Sequence, residues 1–242
     1  MEITYLLNSG FMIREGNILM IFDDFDDPSK TADRAVGKED YEHLYIFATH
    51  AHFDHFGTHI RAYTPQTSRY IFSNDIRRTK RVKMFPSTDI TFMRKYSEWE
   101  GEGIRVWTYD STDVGVSFLV ETETGARIFH AGDFNWWHWE EDSQENRRLA
   151  ERLFNKQMSR LQGLEADIAF FPVDGRLGNS QEKGVTEFIR QTDFKALVAM
   201  HRPSYGKWIP TRNFKSVAKN LQIWSPTYSG EHKIFDGNKF SD

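Results

Sequence analysis

The chain has 242 residues, of which 39% are hydrophobic, so it is long enough to bury a substantial core. Its formal net charge of −4 at pH 7 gives no general attraction for nucleic acid. The absence of cysteine excludes disulfides, thiolate metal ligands and a cysteine nucleophile.

From the sequence we expect neither a transmembrane helix nor a signal peptide. The sequence has no run of about 18 apolar residues, which a transmembrane helix would require. The first residues, 1–7, carry an acidic rather than a basic side chain, unlike a signal peptide. We therefore expect a cytoplasmic protein with no membrane partner, organised as one domain over residues 1–242 and free to form a homo-oligomer.

The first part of the chain is predicted to be mainly β-strands. The run 23–27 contains four aspartates, which we interpret as a solvated loop, with metal binding as the alternative. The dense basic run 77–83 is typical of a solvated helix face, with phosphate contact as the alternative. Apolar runs and turn signals predict strands over 3–7, 11–14, 17–22, 44–48 and 69–73, and a helix beginning at 58–62.

The second part alternates strands with helices. Periodicity predicts one long helix over 141–164, with Leu149, Leu153, Phe154, Met158 and Leu161 on a single apolar face. This order favours an α/β fold with two sheets covered by outer helices over one parallel sheet. The other predicted elements are strands over 103–109, 114–122, 126–130, 167–173 and 196–200, a hairpin turn at 123–125, and helices over 184–192 and 211–221.

Three histidines and one aspartate follow the strand-like run 44–49 within six residues. They are His50, His52, Asp54 and His55. Imidazole and carboxylate together suit divalent zinc, manganese or iron. In an extended stretch, residues i and i+2 point to one side, so the first two histidines can converge on one ion.

These residues, together with Gly132-Asp133 and His201, each placed after a predicted strand, resemble the metallo-β-lactamase fold superfamily. The segment 129–133 is similar to the branch of metal-dependent hydrolases that includes ascorbate-6-phosphate lactonase. The resemblance implies a four-layer αββα sandwich, with two mixed sheets flanked by helices and the site at one edge between the sheets.

The resemblance also implies a ligand set for one or two divalent ions, zinc most readily and manganese or iron as alternatives. His50 and His52 would bind one ion, Asp54, His55 and His201 a second, and Asp133 would bridge them. A bound metal brings the pKa of its water toward about 7, which makes hydroxide available. Asp54 would orient that water or carry its proton.

The sequence departs from the family pattern at one ligand. The family supplies a further histidine between the first motif and Gly-Asp, but the corresponding segment 109–115 contains none. Asp110 or Asp113 could replace it with an oxygen ligand, which would favour a harder ion such as manganese. His130 is expected to orient a ligand by hydrogen bonding instead. The number of ions therefore stays open.

Other residues near these motifs are candidates for substrate contact. Residues 134–139 include three tryptophans that could line a pocket, and His138 could donate to a substrate oxygen. Arg176, just after the strand 167–173, could bind a carboxylate or phosphate through two hydrogen bonds, with an ordinary Asp–Arg turn pair as the alternative. Arg202 and Tyr205 are weaker candidates.

Together these features predict a metal-dependent hydrolase. Its metal-bound hydroxide would attack a small, anionic lactone, ester or phosphodiester, with Asp54, His138 and Arg176 as catalytic residues. An RNA- or DNA-processing nuclease of the same fold is one alternative, although the negative charge makes nucleic acid an unfavoured partner. A non-catalytic metal-binding protein with a degenerate first site is the other.

Overall fold

The computed structural model describes residues 1–202 and 206–242. Within them, two mixed β-sheets carry helices on their outer sides, which confirms the predicted αββα sandwich. The first sheet is built from β1 (Glu2–Leu7), β2 (Gly10–Glu15), β3 (Ile18–Phe22), β4 (His43–Ala48), β5 (Arg69–Ser73) and β6 (Ile90–Met93). The second is built from β7 (Glu98–Gly101), β8 (Ile104–Asp110), β9 (Val116–Thr122), β10 (Arg127–His130), β11 (Glu165–Pro172), β12 (Asp193–Met200) and β13 (Gln222–Trp224), after which β14 (His232–Phe235) and β15 (Phe240–Ser241) return to the first sheet.

The helices divide between the two outer faces. α1 (Thr31–Lys38) buries Ala32 and Val36 in the apolar cluster on the outer side of the first sheet. α2 (Gln144–Leu161), α3 (Lys183–Gln191) and α4 (Arg212–Val217) contribute buried side chains to the core that contains the second sheet. Of the helices in the described part of the chain, none combines the length and apolar character needed to cross a bilayer.

Strands β3 and β4 are apolar on both faces because each is covered on both sides. Phe22 and Phe47 point into the core between the sheets, where their rings stack with centroids 4.4 Å apart. Ile21 and Ile46 point the other way, into the cluster beneath α1. Alternate residues of a strand face opposite sides of the sheet, so a strand covered twice reads as a continuous apolar run.

The strand directions bring the polar segments of interest to one edge. β3 and β4 are parallel neighbours, as are β10, β11 and β12. β8 and β10 both pair antiparallel with β9 and therefore run in the same direction as each other. The loops after β8, β10, β11 and β12 consequently leave the second sheet at one edge, as the residues after β3 and β4 do in the first sheet.

Several predicted elements differ in detail. The expected helix at 58–62 is a 3-10 turn, His59–Tyr63. The basic run 77–83 forms parts of two 3-10 turns, Ile76–Arg78 and Arg81–Met84, rather than one helix face. The long helix α2 is shorter at both ends than the predicted 141–164.

Candidate metal centre

The histidine-rich loop after β4 is held in place through its backbone. The amide of Ala51 donates to Asp75 Oδ2 at 2.8 Å. The guanidinium of Arg81 donates to the carbonyl oxygens of Phe56, at 2.8 Å, and of Ala51. Arg81 also lies over the Phe56 ring, 5.2 Å from its centroid. One residue of the basic run is therefore engaged in fixing this loop.

Asp133 lies between the two groups of histidines. Its Oδ1 is 3.1 Å from His55 Nε2 and 3.4 Å from His201 Nε2. Its Oδ2 is 3.5 Å from His50 Nε2, and that nitrogen is 3.0 Å from His52 Nδ1. The carboxylate thus presents one oxygen to each side, which is the arrangement a bridging ligand requires.

Asp54 completes the group around His55 and His201. Its Oδ2 is 3.8 Å from His55 Nε2 and 3.9 Å from His201 Nε2. Asn8 donates to the same Asp54 oxygen at 3.2 Å. Ligand atoms about 2.1 Å from a shared ion lie roughly 3 to 3.5 Å apart, so small shifts would close this group around an ion.

The sequence-predicted ligands fall into overlapping groups. Asp54, His55 and His201 can each offer an atom within 4.8 Å of the others, and so can His50, His55 and Asp133. The rings of His50 and His55 have centroids 4.1 Å apart. The two predicted metal positions are therefore adjacent, and His55 faces both.

Two buried atoms at the centre of the site lack hydrogen-bond partners among the described residues. They are His55 Nε2 and Asp133 Oδ1, which face each other. His55 Nδ1 lies 2.7 Å from Asp23 Oδ2, and a carboxylate accepts, so in the neutral ring Nε2 carries a lone pair. A lone pair and a carboxylate oxygen repel each other, so this pair requires a cation between its two atoms. Burial opposes a proton on His55, but the charges of Asp133 and Asp23 outweigh it and raise the pKa of the ring. A divalent metal ion can take the place of that proton, so the donor set fits a metal ion.

The interpretation of residues 23–27 as a solvated loop was wrong at its first residue. Asp23 is fully buried and binds His55. It also accepts from the backbone amide of Thr49 at 2.7 Å and from the Thr49 hydroxyl at 2.6 Å. The Thr49 hydroxyl in turn lies 3.0 Å from His50 Nδ1. We did not predict this role from the sequence, although Asp23 directly follows an apolar strand, as the histidine loop does.

Two further carboxylates of the acidic run also depart from that interpretation. Asp24 is buried and contacts His59 Nε2 at 3.1 Å. Asp27 is buried and accepts from the backbone amide of Ala32 at 2.8 Å, near the start of α1. Of the four carboxylates, only Asp26 is exposed.

Asp174 contacts Nδ1 of His201 just as Asp23 contacts Nδ1 of His55. Its Oδ2 is 3.0 Å from His201 Nδ1, which leaves Nε2 of that ring facing Asp54 and Asp133. His201 has φ +59°, a left-handed conformation that is uncommon for a residue with a side chain. A carboxylate on the remote nitrogen fixes the tautomer and orientation of a metal-binding histidine.

The two candidates for the missing ligand and His130 lie in different places. Asp113 Oδ2 is 3.9 Å from His52 Nδ1. Asp110 instead accepts from Lys95 at 2.8 Å and from Gln157 at 3.0 Å. His130 is buried below the site, with Nε2 2.9 Å from the carbonyl oxygen of Ser9 and Nδ1 accepting from the Gly132 amide at 3.2 Å.

Burial and the charges within the site shift the pKa values of several of its residues. Burial and the nearby His55 charge lower the pKa of His50 to about 3, so its ring is neutral and available as a ligand at neutral pH. Burial opposes ionisation of Asp133, but the charges of His55 and His201 outweigh it and lower the pKa of that carboxyl well below its usual range. Burial and the Asp133 charge raise the pKa of Asp113.

A cavity of about 470 Å³ opens above these groups. Trp137 and Trp139 stack in parallel on one side, with ring centroids 5.7 Å apart. The Trp137 ring also contacts His201 edge-on at 5.4 Å, and its Nε1 donates to the Asp133 carbonyl oxygen at 2.9 Å. The lining residues are His52, Asp54, Thr112, Asp113, Asp133, Asn135, Trp137, Trp139, Asp142, Asn146, Leu149, Ala150, Leu153, Arg176 and His201.

Arg176 lines this cavity but is already paired. Its guanidinium donates to both oxygens of Asp174, at 2.5 to 3.0 Å, and lies 5.5 Å from the centroid of the Trp139 ring. Both interpretations of Arg176 therefore describe part of its position, since it forms the Asp–Arg turn pair and also faces the cavity.

His138 lies apart from the other predicted catalytic residues. Among the described residues, it is not part of the cavity lining, and its Nδ1 is 3.5 Å from Lys183 Nζ. Its predicted contact with substrate therefore has no support in this geometry. Arg202 is buried and donates to Ser225 Oγ at 2.8 Å, and Tyr205 lies outside the described residues.

No protein-family model and no curated protein matches the chain. Several solved structures, however, are similar to the chain. The chain is similar to Igni18, a metallo hydrolase from Ignicoccus hospitalis, with 15% identity, 96% of each chain covered and a TM-score of 0.66. It is similar to a possible metal-dependent hydrolase from Veillonella parvula, with 13% identity, 96% and 98% covered and a TM-score of 0.62.

A third similar structure is described by the name of its fold. It is the metallo-β-lactamase fold protein YhfI from Bacillus subtilis, with 11% identity, 96% of this chain and 97% of that chain covered, and a TM-score of 0.59. Identities this low establish the fold alone, and the two facing mixed sheets agree with it. The chain therefore has the metallo-β-lactamase fold.

Proposed function

We propose that this protein is a metal-dependent hydrolase of a small ester, lactone or phosphodiester. The observation that carries the proposal is a pair of buried atoms between the two histidine groups, His55 Nε2 and Asp133 Oδ1, which have no hydrogen-bond partner within residues 1–202 and 206–242. Two similar structures support it: a metallo hydrolase from Ignicoccus hospitalis and a possible metal-dependent hydrolase from Veillonella parvula.

The residues would hold one or two divalent ions. The first site consists of His50, His52 and Asp133, and the second site consists of Asp54, His55, Asp133 and His201. Nitrogen and oxygen ligands of this kind suit zinc, and also manganese or iron. A bound divalent ion lowers the pKa of coordinated water toward about 7 and polarises a carbonyl or phosphoryl oxygen.

The protein's own groups then orient the reactants. Asn8 holds one oxygen of Asp54, so the other oxygen is available to accept or return a proton over the cavity. Asp23 and Asp174 fix the two histidine rings from behind. Trp137 closes one side of the site against His201 and limits the approach of bulk water.

The cavity favours a substrate with an apolar arm. Leu149 and Leu153 line it and leave 44% and 39% of their surface exposed, an unusual position for two large apolar side chains on one helix face. Arg176 is the cationic lining residue among the described ones, and Asp174 already balances its charge. We therefore propose a neutral or singly charged substrate, whereas the sequence led us to expect a small, anionic one.

The test compares turnover with metal content. Wild-type protein is stripped with chelator, reloaded with zinc or manganese, and assayed on lactones, aryl esters and aryl phosphodiesters. We expect metal-dependent turnover that Asp54→Ala reduces by at least about 100-fold. Asp26→Ala, which removes an exposed aspartate outside the cavity, is the matched control. Metal binding without turnover on any substrate, and no effect of Asp54→Ala, would instead identify a non-catalytic metal-binding protein.

The nuclease alternative receives less support from the geometry. Arg81 is committed to the histidine loop, and the cavity is lined by Asp113 and Asp142 as well as by the ligand carboxylates. A phosphate backbone would meet mostly negative charge there. We propose that nucleic acid is not a substrate, and RNA binding that falls steeply with added salt would contradict this.

A further inference from the structure

We propose that Asp113 is the third protein ligand of the first site, where the fold's usual histidine is missing. This inference rests on the proposed metal centre and adds a residue to it. His52, Asp113 and Asp133 can each offer one ligand atom within 4.8 Å of the other two. Asp113 Oδ2 lies 3.9 Å from His52 Nδ1.

The loop that carries Asp113 is packed against the histidine loop. Gly115 has φ +82°, and a Cβ there would lie 2.0 Å from the Thr49 carbonyl oxygen and 2.5 Å from His50 Cβ. Only glycine allows this approach. The amide of Val116 donates to the same Thr49 oxygen at 3.0 Å. Asp113 is thus two residues from a point that is fixed to the backbone next to His50.

The other side of the loop is joined to the segment after β10. The Thr112 hydroxyl donates to the carbonyl oxygen of Asn135 at 2.6 Å, and it accepts from the Asn135 amide at 3.0 Å. Asn135 lies two residues after Asp133. Asp113 is therefore held between the segments that supply His52 and Asp133, and its half-exposed carboxylate faces the cavity.

A carboxylate at this position changes the metal preference. With Asp113, the first site has two nitrogen and two carboxylate ligands, as does the second. Carboxylates suit harder ions, while an additional imidazole suits zinc. The third carboxylate, beside Asp54 and Asp133, also offsets more of the charge of two divalent ions. We therefore expect the first site to discriminate less against manganese than a site with three histidines would.

The experiment measures metal content and affinity rather than activity. Wild type, Asp113→Asn and Asp110→Asn are stripped, reloaded with Zn²⁺ or Mn²⁺, desalted and analysed by elemental mass spectrometry, and affinities are measured by competition with a chelating dye. We expect Asp113→Asn to lose one ion per chain, or to bind it at least about tenfold more weakly. Asp110→Asn is the matched control, since Asp110 binds Lys95 and Gln157, and it should retain the wild-type metal content.

A second variant keeps the proposal testable if Asp113→Asn folds poorly. Asp113→His should restore the ion and shift the Zn²⁺ to Mn²⁺ affinity ratio of the first site toward zinc by at least about tenfold. Unchanged stoichiometry, affinity and metal preference in both variants would overturn the role of Asp113 while leaving the hydrolase proposal intact. Wild-type protein that binds no metal would overturn both.

Discussion

Asp23 Oδ2 lies 2.7 Å from His55 Nδ1, and both side chains are fully buried. The aspartate comes from the end of β3 and the histidine from the loop after β4, so two parallel neighbouring strands place the pair. Asp23 does not face the cavity, and its contact with the site passes through His55 and Thr49.

The first prediction concerns this positioning. Asp23→Asn should weaken metal binding by about 10- to 100-fold, because the amide no longer fixes the His55 ring and its tautomer as a carboxylate does. Competition with a chelating dye measures the effect. Asp27→Asn is the control, since it changes another buried aspartate, which caps α1, and should lower stability while leaving metal affinity unchanged. Equal metal affinity in Asp23→Asn and wild type would contradict the prediction.

The second prediction concerns the anchor of the histidine loop. Arg81→Met removes the hydrogen bonds to the carbonyl oxygens of Ala51 and Phe56 and should cost roughly 2 kcal/mol of unfolding free energy. Urea denaturation measures this loss. Lys83→Met, from the same basic run but exposed, should change it by less than about 0.5 kcal/mol. The prediction fails if the two variants are equally stable.

The third prediction concerns the apolar side of the cavity. Leu149→Glu and Leu153→Glu should raise KM for esters with a long alkyl arm by about tenfold, since each leucine can contribute about 1.5 to 3 kcal/mol when fully covered. Activity on a methyl ester should hardly change. Asn155→Glu adds the same charge to an exposed position of α2 and serves as control. An equal loss on short and long esters would argue against an apolar subsite.

The fourth prediction concerns metal removal and stability. A ligand at 100 times its Kd stabilises the folded state by about 2.7 kcal/mol, which for a chain of this length raises Tm by about 5 to 10 °C. Chelator should remove that increment from wild type, as measured by calorimetry. Asp133→Asn, which alters the bridging carboxylate, should show little difference with and without metal. A full increment in this variant would exclude Asp133 as a shared ligand.

The fifth prediction concerns the pair His59–Asp24. Burial opposes the charged form of His59, but the hydrogen bond and charge of Asp24 outweigh it and raise the pKa of the imidazole. A pKa raised by folding means that the pair stabilises the fold below the ordinary value of about 6.5, and that this stability is lost as pH rises through the folded-state pKa. His59→Gln should therefore destabilise more at about pH 6 than at about pH 9, measured by urea midpoints. The same difference at both values would contradict the assignment.

The predicted ligands could be named from sequence because they lie in short motifs that follow apolar strands. The partners Asp23 and Asp174 could not, because their role depends on which strands are neighbours and run parallel. The helical spacing of apolar residues also does not distinguish residues that line a cavity from residues in the core. Leu149 and Leu153 lie on the same predicted apolar face of the helix as Phe154. Phe154 is buried in the core, whereas the two leucines are partly exposed and line the cavity.

Elements with weak apolar patterns were missed. β6 (Ile90–Met93) and β7 (Glu98–Gly101) are edge strands of four residues whose side chains are mostly half-buried or exposed. α1 (Thr31–Lys38) buries only Ala32 and Val36 and contains a glycine. Short elements with one narrow buried face produce little periodic signal in a single sequence.

The apolar side chains of helix α2 contribute both to the core and to the wall of the cavity. Its later turns insert Phe154, Met158 and Leu161 into the core, and Phe154 stacks on Phe134 at 5.1 Å. Its earlier turns present Leu149 to the cavity. Because different turns of the helix contribute to the core and to the cavity, amino-acid changes in the early turns should reshape the cavity without weakening the fold.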